Sequence, residues 1–217
     1  MEKTEYLHLI EQSKNISSEM GWYFRELKYH IPKKVCDIDI ISNDWIDFTC
    51  SHFDLAQHKI EQPREHYDKE ANWLATCNQI MGRNSGNTQE LNFGLNSNTN
   101  DLLCDMLGND NIKKMGLQRE GLLLRLIVNT PGHGIAWHED GASSYRKKFP
   151  HLVGDIKRLW FPVIDWKDGH VFQIGSEVLS KWKSGNVWHI PWGVPHGSSN
   201  FGYTIKYTCS VTGVIDD

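Results

Sequence analysis

The second half of the chain alternates short apolar runs with turn residues, a pattern that predicts antiparallel β-structure. The β-rich runs cover residues 121–130, 134–140, 156–164, 170–174, 185–190 and 203–211. Turn residues such as Pro131-Gly132 and Asp168-Gly169 separate them. Short strands at this spacing are typical of a β-sandwich or a β-barrel.

The first half of the chain carries helical patterns instead. Apolar residues at helical spacing predict helices over residues 4–20, 69–81 and 98–107. Residues 35–54 are rich in β-branched side chains, which predicts one or two strands there. We therefore divide the chain into a helical and mixed extension, residues 1–115, and a β core, residues 116–217, and expect one compact domain.

Composition and charge narrow the function classes. The chain is 39% hydrophobic and 23% charged, with a formal net charge of -4, so it has no basic field to attract nucleic acid. No run approaches the roughly 18 apolar residues of a membrane span, and the first residues lack the order of a signal peptide. Five scattered cysteines predict reduced thiols rather than disulfides. We expect a cytoplasmic protein that binds neither nucleic acid nor membrane.

Three His-x-Asp triplets are candidate metal-binding motifs. His52, His66 and His138 each stand two residues before an aspartate. On a strand, residues i and i+2 share a face and can bind one metal ion, whereas on a helix they point about 200° apart. Asp68 opens a predicted helix and is explained as its N-cap, and no third ligand follows Asp54. The third triplet is therefore the metal candidate.

The third triplet has a partner later in the chain. His138 and Asp140 lie in a predicted strand, and His196 follows a turn between two others. Two imidazoles and one carboxylate leave one side of a metal open, as in non-haem Fe(II) sites, whereas structural zinc prefers a fourth protein ligand. Lys206 follows on a predicted strand. If it faces inward it needs an anion, and if it faces outward it is a solvated charge.

These residues resemble the 2-oxoglutarate and Fe(II)-dependent oxygenases. The second half of the chain looks like their double-stranded β-helix core, a mainly β (α+β) fold of the jelly-roll or cupin-like type, here with N-terminal helices packed on it. The stretches 158–164 and 182–188, together with His196 and Lys206, are similar to the aspartyl/asparaginyl β-hydroxylase-like branch, which includes the free proline hydroxylases.

The resemblance implies a ligand for each part of the site. It implies that Fe(II) is held by His138, Asp140 and His196. It also implies that Lys206 binds the distal carboxylate of 2-oxoglutarate, with Thr208 assisting and Arg158 as a second candidate. Many members have Arg at the Lys206 position. Many also have a His where this chain has Trp160, and we expect the polar contact of this His with the co-substrate to be absent here.

The implied activity is hydroxylation of an unactivated C–H bond in a small amino acid-like molecule or a peptide side chain. O2 and 2-oxoglutarate are consumed, and succinate and CO2 are produced. Asp140 argues against halogenation, because halogenating relatives carry a small residue there. The candidate substrate contacts are Arg125, Asn129, Glu139, Trp137 and Trp188. The alternative is a cupin-like metal-dependent enzyme or binder that does not use 2-oxoglutarate.

Overall fold

The structure is a computed structural model, and it describes residues 31–52, 90–91, 97–132, 134–138 and 140–216. The elements in chain order are β1 (Lys33–Asp37), α1 (Ser42–His52), β2 (Glu90–Leu91), α2 (Ser97–Leu107), α3 (Asn109–Lys114), β3 (Leu123–Asn129), β4 (Gly134–His138), α4 (Ser143–Lys148), β5 (Ile156–Pro162), β6 (His170–Ile174), β7 (Glu177–Leu179), β8 (Asn186–His189), β9 (His196–Asn200) and β10 (Lys206–Val214). The helices predicted over residues 4–20 and 69–81 lie outside the described residues.

The strands form two antiparallel sheets. The first has the order β1-β8-β5-β10-β3-β2, and the second has the order β4-β9-β6-β7. From β3 onward the chain passes back and forth between the sheets, apart from the β6–β7 hairpin within the second. The fold is a double-stranded β-helix with a few helices, which confirms the predicted fold class.

Strand alternation gives the first sheet an apolar outer face and an inner face that carries both polar side chains and the aromatic rings of Trp160 and Trp188. Outward residues of β3 and β10 join a core with residues of α1, α2 and α3, and members of this core are Trp45, Leu103, Leu107, Ile112, Leu124, Leu126, Tyr207 and Cys209. Trp45 meets Phe161 edge to face at 5.8 Å. The predicted packing of helices on the barrel is thus confirmed. It leaves the alternate residues of β3, β5 and β10 for the inside of the barrel.

Of the one or two strands predicted within residues 35–54, the structure has one, β1, and a helix takes the place of a second. Residues 42–52 form α1, and Trp45 and Thr49, four residues apart, are its buried positions. Burial of this helical face against the sheet overrides the local β-preference of the isoleucines. The structure also forms α4, β7 and β9, which the pattern did not predict.

The described segments contain no helix that is long and apolar enough to cross a membrane. Four cysteines fall in these segments, and Cys36, Cys50, Cys104 and Cys209 are all free thiols. Burial raises the pKa of Cys104 to about 11. That thiol therefore stays protonated and unreactive near neutral pH.

Candidate metal and anion site

The pairing of β4 with β9 brings the predicted metal ligands together at one end of the barrel. In this register the Cα of His138 lies opposite that of His196. Asp140 follows two residues after His138, just beyond the end of β4. The side chains of Asp140 and His196 meet, with 3.1 Å between Oδ2 and Nε2.

Hydrogen bonding sets the tautomer of His196. Its Nδ1 lies 3.0 Å from the carbonyl oxygen of Val194, and because a carbonyl only accepts, Nδ1 carries the proton. Nε2 therefore presents a lone pair towards Asp140, which is the form that binds a metal. Two such electron-rich atoms repel each other unless a cation lies against both.

Arg158 supplies that positive charge in the structure. It is buried on the inner face of β5, and its Nη1 lies 3.1 Å from His196 Nε2 and pairs with Asp140 Oδ2. The two ligating atoms thus form a cation-binding point, which fits the N and O donors of an Fe(II) site. Among the described side chains, no group of three His, Cys, Asp or Glu residues surrounds this point. The third predicted ligand, His138, is described by its backbone register alone.

Lys206 lies deeper in the barrel and is fully buried. Its Nζ donates to the carbonyl oxygen of Val171 at 2.5 Å and to Ser198 Oγ at 2.6 Å. It also lies 5.6 Å from the ring centre of Trp182 and 5.9 Å from that of Phe172. Burial lowers the pKa of Lys206 to about 7, and no acidic side chain in the described part of the chain pairs with it. A buried cation in this state is stabilised by any anion that reaches it.

Two further polar groups near Lys206 lack a hydrogen-bond partner among the described residues. Asn129 is its cross-strand partner, and Asn129 Oδ1 accepts a hydrogen bond from Ser198 at 3.1 Å. Asn129 Nδ2 and Thr208 Oγ1 are buried and have no hydrogen-bond partner among the described residues. Because buried polar groups are normally satisfied, a bound carboxylate is the partner that would complete the set.

A narrow cavity lies beside His196 and Ser198, and Ser198 accepts a hydrogen bond from Lys206. Residues that line it are Arg158, Trp160, Phe172, His196, Ser198 and Ser210. His196 and Ser198 are two residues apart on β9, which corresponds to about 6.8 Å along an antiparallel strand. A short dicarboxylate therefore has the reach to bind at the His196 end and at Lys206 together.

The remaining candidates divide into inner-face and core residues. Arg125 belongs to the inner face of β3, opposite Ser210 on β10. Trp188 packs in the aromatic core, 5.4 Å from Trp160, and its substrate contact stays a prediction. Glu139 and the side chain of Trp137 lie outside what the structure describes. Sequence reasoning missed Ser198, although its position two residues after His196 places both on one strand face.

Tyr145 and Arg146, which lie in α4 after the metal motif, have packing roles. Tyr145 is buried and donates its hydroxyl hydrogen to the carbonyl oxygen of Gly121 at 2.9 Å. Arg146 donates to the carbonyl oxygens of Leu152 and Gly154. These bonds hold α4 and its following loop in place.

Gly134 allows β4 to approach β9 closely enough to pair the two histidines. A Cβ at this position would overlap the carbonyl oxygen of Ser198. We expect Gly134→Ala to lower the free energy of unfolding by about 1–3 kcal/mol, the usual cost of overpacking, and to weaken metal binding. In Gly141→Ala the new Cβ meets only Ser143 Oγ at 4.0 Å, so it is the matched control. Urea denaturation measures both, and equal stabilities would contradict the role of Gly134.

The chain has low similarity to several solved structures. No protein-family model matches the chain, and no curated protein matches it. A protein with a double-stranded beta-helix domain from Klebsiella pneumoniae is 20% identical, with 42% of this chain and 66% of that chain covered and a TM-score of 0.30. A predicted oxalate decarboxylase from Thermotoga maritima is 15% identical, with 50% and 76% covered and a TM-score of 0.31.

A cupin domain from Bordetella pertussis is also similar. It is 15% identical, with 42% of this chain and 78% of that chain covered and a TM-score of 0.28. At such scores the fold assignment depends on the strand order of this chain itself. The descriptions of these proteins say nothing about the function of this chain.

Proposed function

We propose that this protein is a non-haem Fe(II) and 2-oxoglutarate-dependent dioxygenase that hydroxylates an unactivated C–H bond of an amino acid-like molecule or a peptide side chain. Lys206 carries the proposal. It is a fully buried cation with no acidic partner among the described residues. It donates a hydrogen bond to Ser198, the next inward residue after His196 on β9. A 2-oxo dicarboxylate held at the metal end and at Lys206 satisfies both ends of the site.

Each part of the site has a separate task in this proposal. Iron held by His138, Asp140 and His196 would supply the oxidising chemistry with O2 and 2-oxoglutarate. The Val194 carbonyl keeps His196 in its metal-binding tautomer. Lys206 binds the distal carboxylate, and the aromatic wall around it excludes water, which strengthens the charge pairing.

The resemblance made Arg158 a second candidate for binding the distal carboxylate, and we propose a different role for it. Its guanidinium contacts Asp140 and His196 at the metal end, whereas Lys206 binds Ser198 deeper in the barrel. We therefore assign the distal carboxylate to Lys206 and the groups nearer the metal to Arg158. A divalent ion would repel the guanidinium from its present contacts, which would turn it towards an anionic group of the ligand.

The second candidate is a cupin-like metal protein that does not use 2-oxoglutarate. It is favoured by the hydrogen bonds from Lys206 to Val171 and Ser198, since a structural lysine would form such bonds. Calorimetric titration of 2-oxoglutarate into anaerobic protein, with and without Fe(II), separates the two candidates. Our proposal predicts a single site that is strengthened by the metal. Metal binding with no heat from 2-oxoglutarate would favour the cupin-like candidate.

Binding of 2-oxoglutarate should take up protons above neutral pH. Burial lowers the pKa of Lys206 to about 7 in the free protein, and a bound carboxylate raises it again. The affinity should therefore fall as the pH rises above about 7, by up to about tenfold per pH unit. Neighbouring His170 stays neutral over this range, because burial lowers its pKa.

Calorimetry at pH 8 in two buffers of different ionisation enthalpy measures this linkage directly. The expected uptake approaches one proton per ligand bound. Lys206→Met, which keeps the length of the side chain without an ionisable group, should abolish the uptake. An uptake that persists in Lys206→Met would assign the proton to another group.

A further inference from the structure

The indole N–H of Trp160 is a buried donor at the cavity wall. Trp160 is 1% exposed and lines the cavity together with His196 and Ser198. Its Nε1 has no hydrogen-bond partner among the described residues. A donor left unpaired in the interior is unfavourable, so this N–H needs an acceptor from outside the described protein groups.

Packing holds the Trp160 ring in one orientation. It stacks on Phe172 with 4.2 Å between ring centres and an interplanar angle of 3°. Trp182 meets it edge to face at 5.3 Å, and Trp188 lies at 5.4 Å. A donor fixed in this way loses little conformational entropy when a ligand binds.

Trp160 and Lys206 contact the same two aromatic rings. Phe172 and Trp182, which pack against Trp160, are also the rings over which the Lys206 ammonium lies. An indole nitrogen can only donate, and an ammonium can only donate. A group that satisfies both is an acceptor, and the buried positive charge of Lys206 favours an anionic one, such as a carboxylate.

We propose that the Trp160 indole N–H donates a hydrogen bond to the distal carboxylate of the bound dicarboxylate, which it shares with Lys206. This inference rests on the proposed function and adds a residue that determines co-substrate specificity. It replaces the expectation that a tryptophan at this position removes a polar contact. The chain instead provides the contact with an indole in place of an imidazole.

Trp160→Phe keeps an aromatic ring and removes the donor. We expect its affinity for 2-oxoglutarate to fall by about tenfold to a hundredfold, as for other hydrogen bonds to charged groups. Its affinity for 2-oxobutanoate, which keeps the keto acid and lacks the distal carboxylate, should not change. Trp166→Phe is the matched control, because Trp166 packs against the same cluster, does not line the cavity and already donates its indole N–H to the carbonyl oxygen of His170. Calorimetry on the anaerobic Fe(II) proteins measures these affinities.

The outcomes separate this inference from the proposed function. If the wild-type protein binds no 2-oxoglutarate, the proposed function fails. If the wild-type protein binds it and Trp160→Phe binds it equally well, the Trp160 contact is wrong while the proposed function stands. Equal losses for both keto acids would mean that the ring acts through packing alone.

A second measurement follows the ligand in the wild-type protein, and the variant serves only to assign one resonance. In the 15N-labelled Zn(II) protein, the indole N–H resonance of Trp160 is assigned by its absence from the spectrum of Trp160→Phe. Addition of 2-oxoglutarate should move this resonance downfield, as expected for a new hydrogen bond to a carboxylate. Addition of 2-oxobutanoate should not. Identical shifts with the two ligands would overturn the inference.

Discussion

Lys206→Ala is expected to weaken 2-oxoglutarate binding by roughly 30-fold to several thousand-fold, the usual cost of truncating one partner of a buried charge pair. The carboxylate would lose its cation in a pocket closed by Trp182 and Phe172, where water cannot replace it. The affinity for Fe(II) should barely change, because Lys206 does not contact the metal end. Titration of 2-oxoglutarate into the anaerobic Fe(II) protein gives the dissociation constants.

Other substitutions test whether the loss in Lys206→Ala comes from the removed positive charge. Lys206→Arg should keep most of the affinity if the pocket has room, and Lys206→Glu should be worse than Lys206→Ala because it opposes like charges. Lys183→Ala is the control, since that lysine is exposed and pairs with Asp165. An unchanged dissociation constant in Lys206→Ala would move the anchor to Arg158. Unchanged constants in both Lys206→Ala and Arg158→Ala would favour the cupin-like candidate.

His196→Ala and His138→Ala are each expected to abolish Fe(II) binding, because two remaining protein ligands cannot hold a labile divalent ion. His196 offers Nε2 in the metal-binding tautomer, 3.1 Å from Asp140, and His138 is its register partner. His52→Ala is the control, since this residue ends α1, far from β4 and β9 in the chain. Metal content after anaerobic reconstitution measures the result, and iron retained by His196→Ala would refute the ligand set.

The sequence predicts the barrel well where local alternation and burial agree. In β3 and β10 every second residue is apolar and faces the helices, and these strands lie close to their predicted positions. β9 escaped prediction because Gly197, Ser198 and Ser199 have little preference for strands. They become a strand through pairing with β4 on one side and β6 on the other. Such non-local pairing leaves no trace in the local sequence.

The sequence predicts the individual residues of the site better than the contacts between them. The spacing around His138 and His196 selects the metal candidates, and strand alternation allows Lys206 to face inward. The contact of Arg158 with Asp140 depends on how β5 in one sheet faces the end of β4 in the other. The link from Lys206 through Ser198 to Asn129 likewise joins residues of both sheets. No periodicity within a single strand encodes these contacts.

Formation of succinate from 2-oxoglutarate by the wild-type protein, in the presence of Fe(II) and O2, tests the central claim most directly. A set of amino acids and peptides added one at a time identifies the substrate by the rise in succinate. We predict succinate that depends on Fe(II) and O2 in the wild-type protein, little in Lys206→Ala and none in His196→Ala. A folded, iron-loaded wild-type protein that neither binds 2-oxoglutarate nor forms succinate would contradict the proposal.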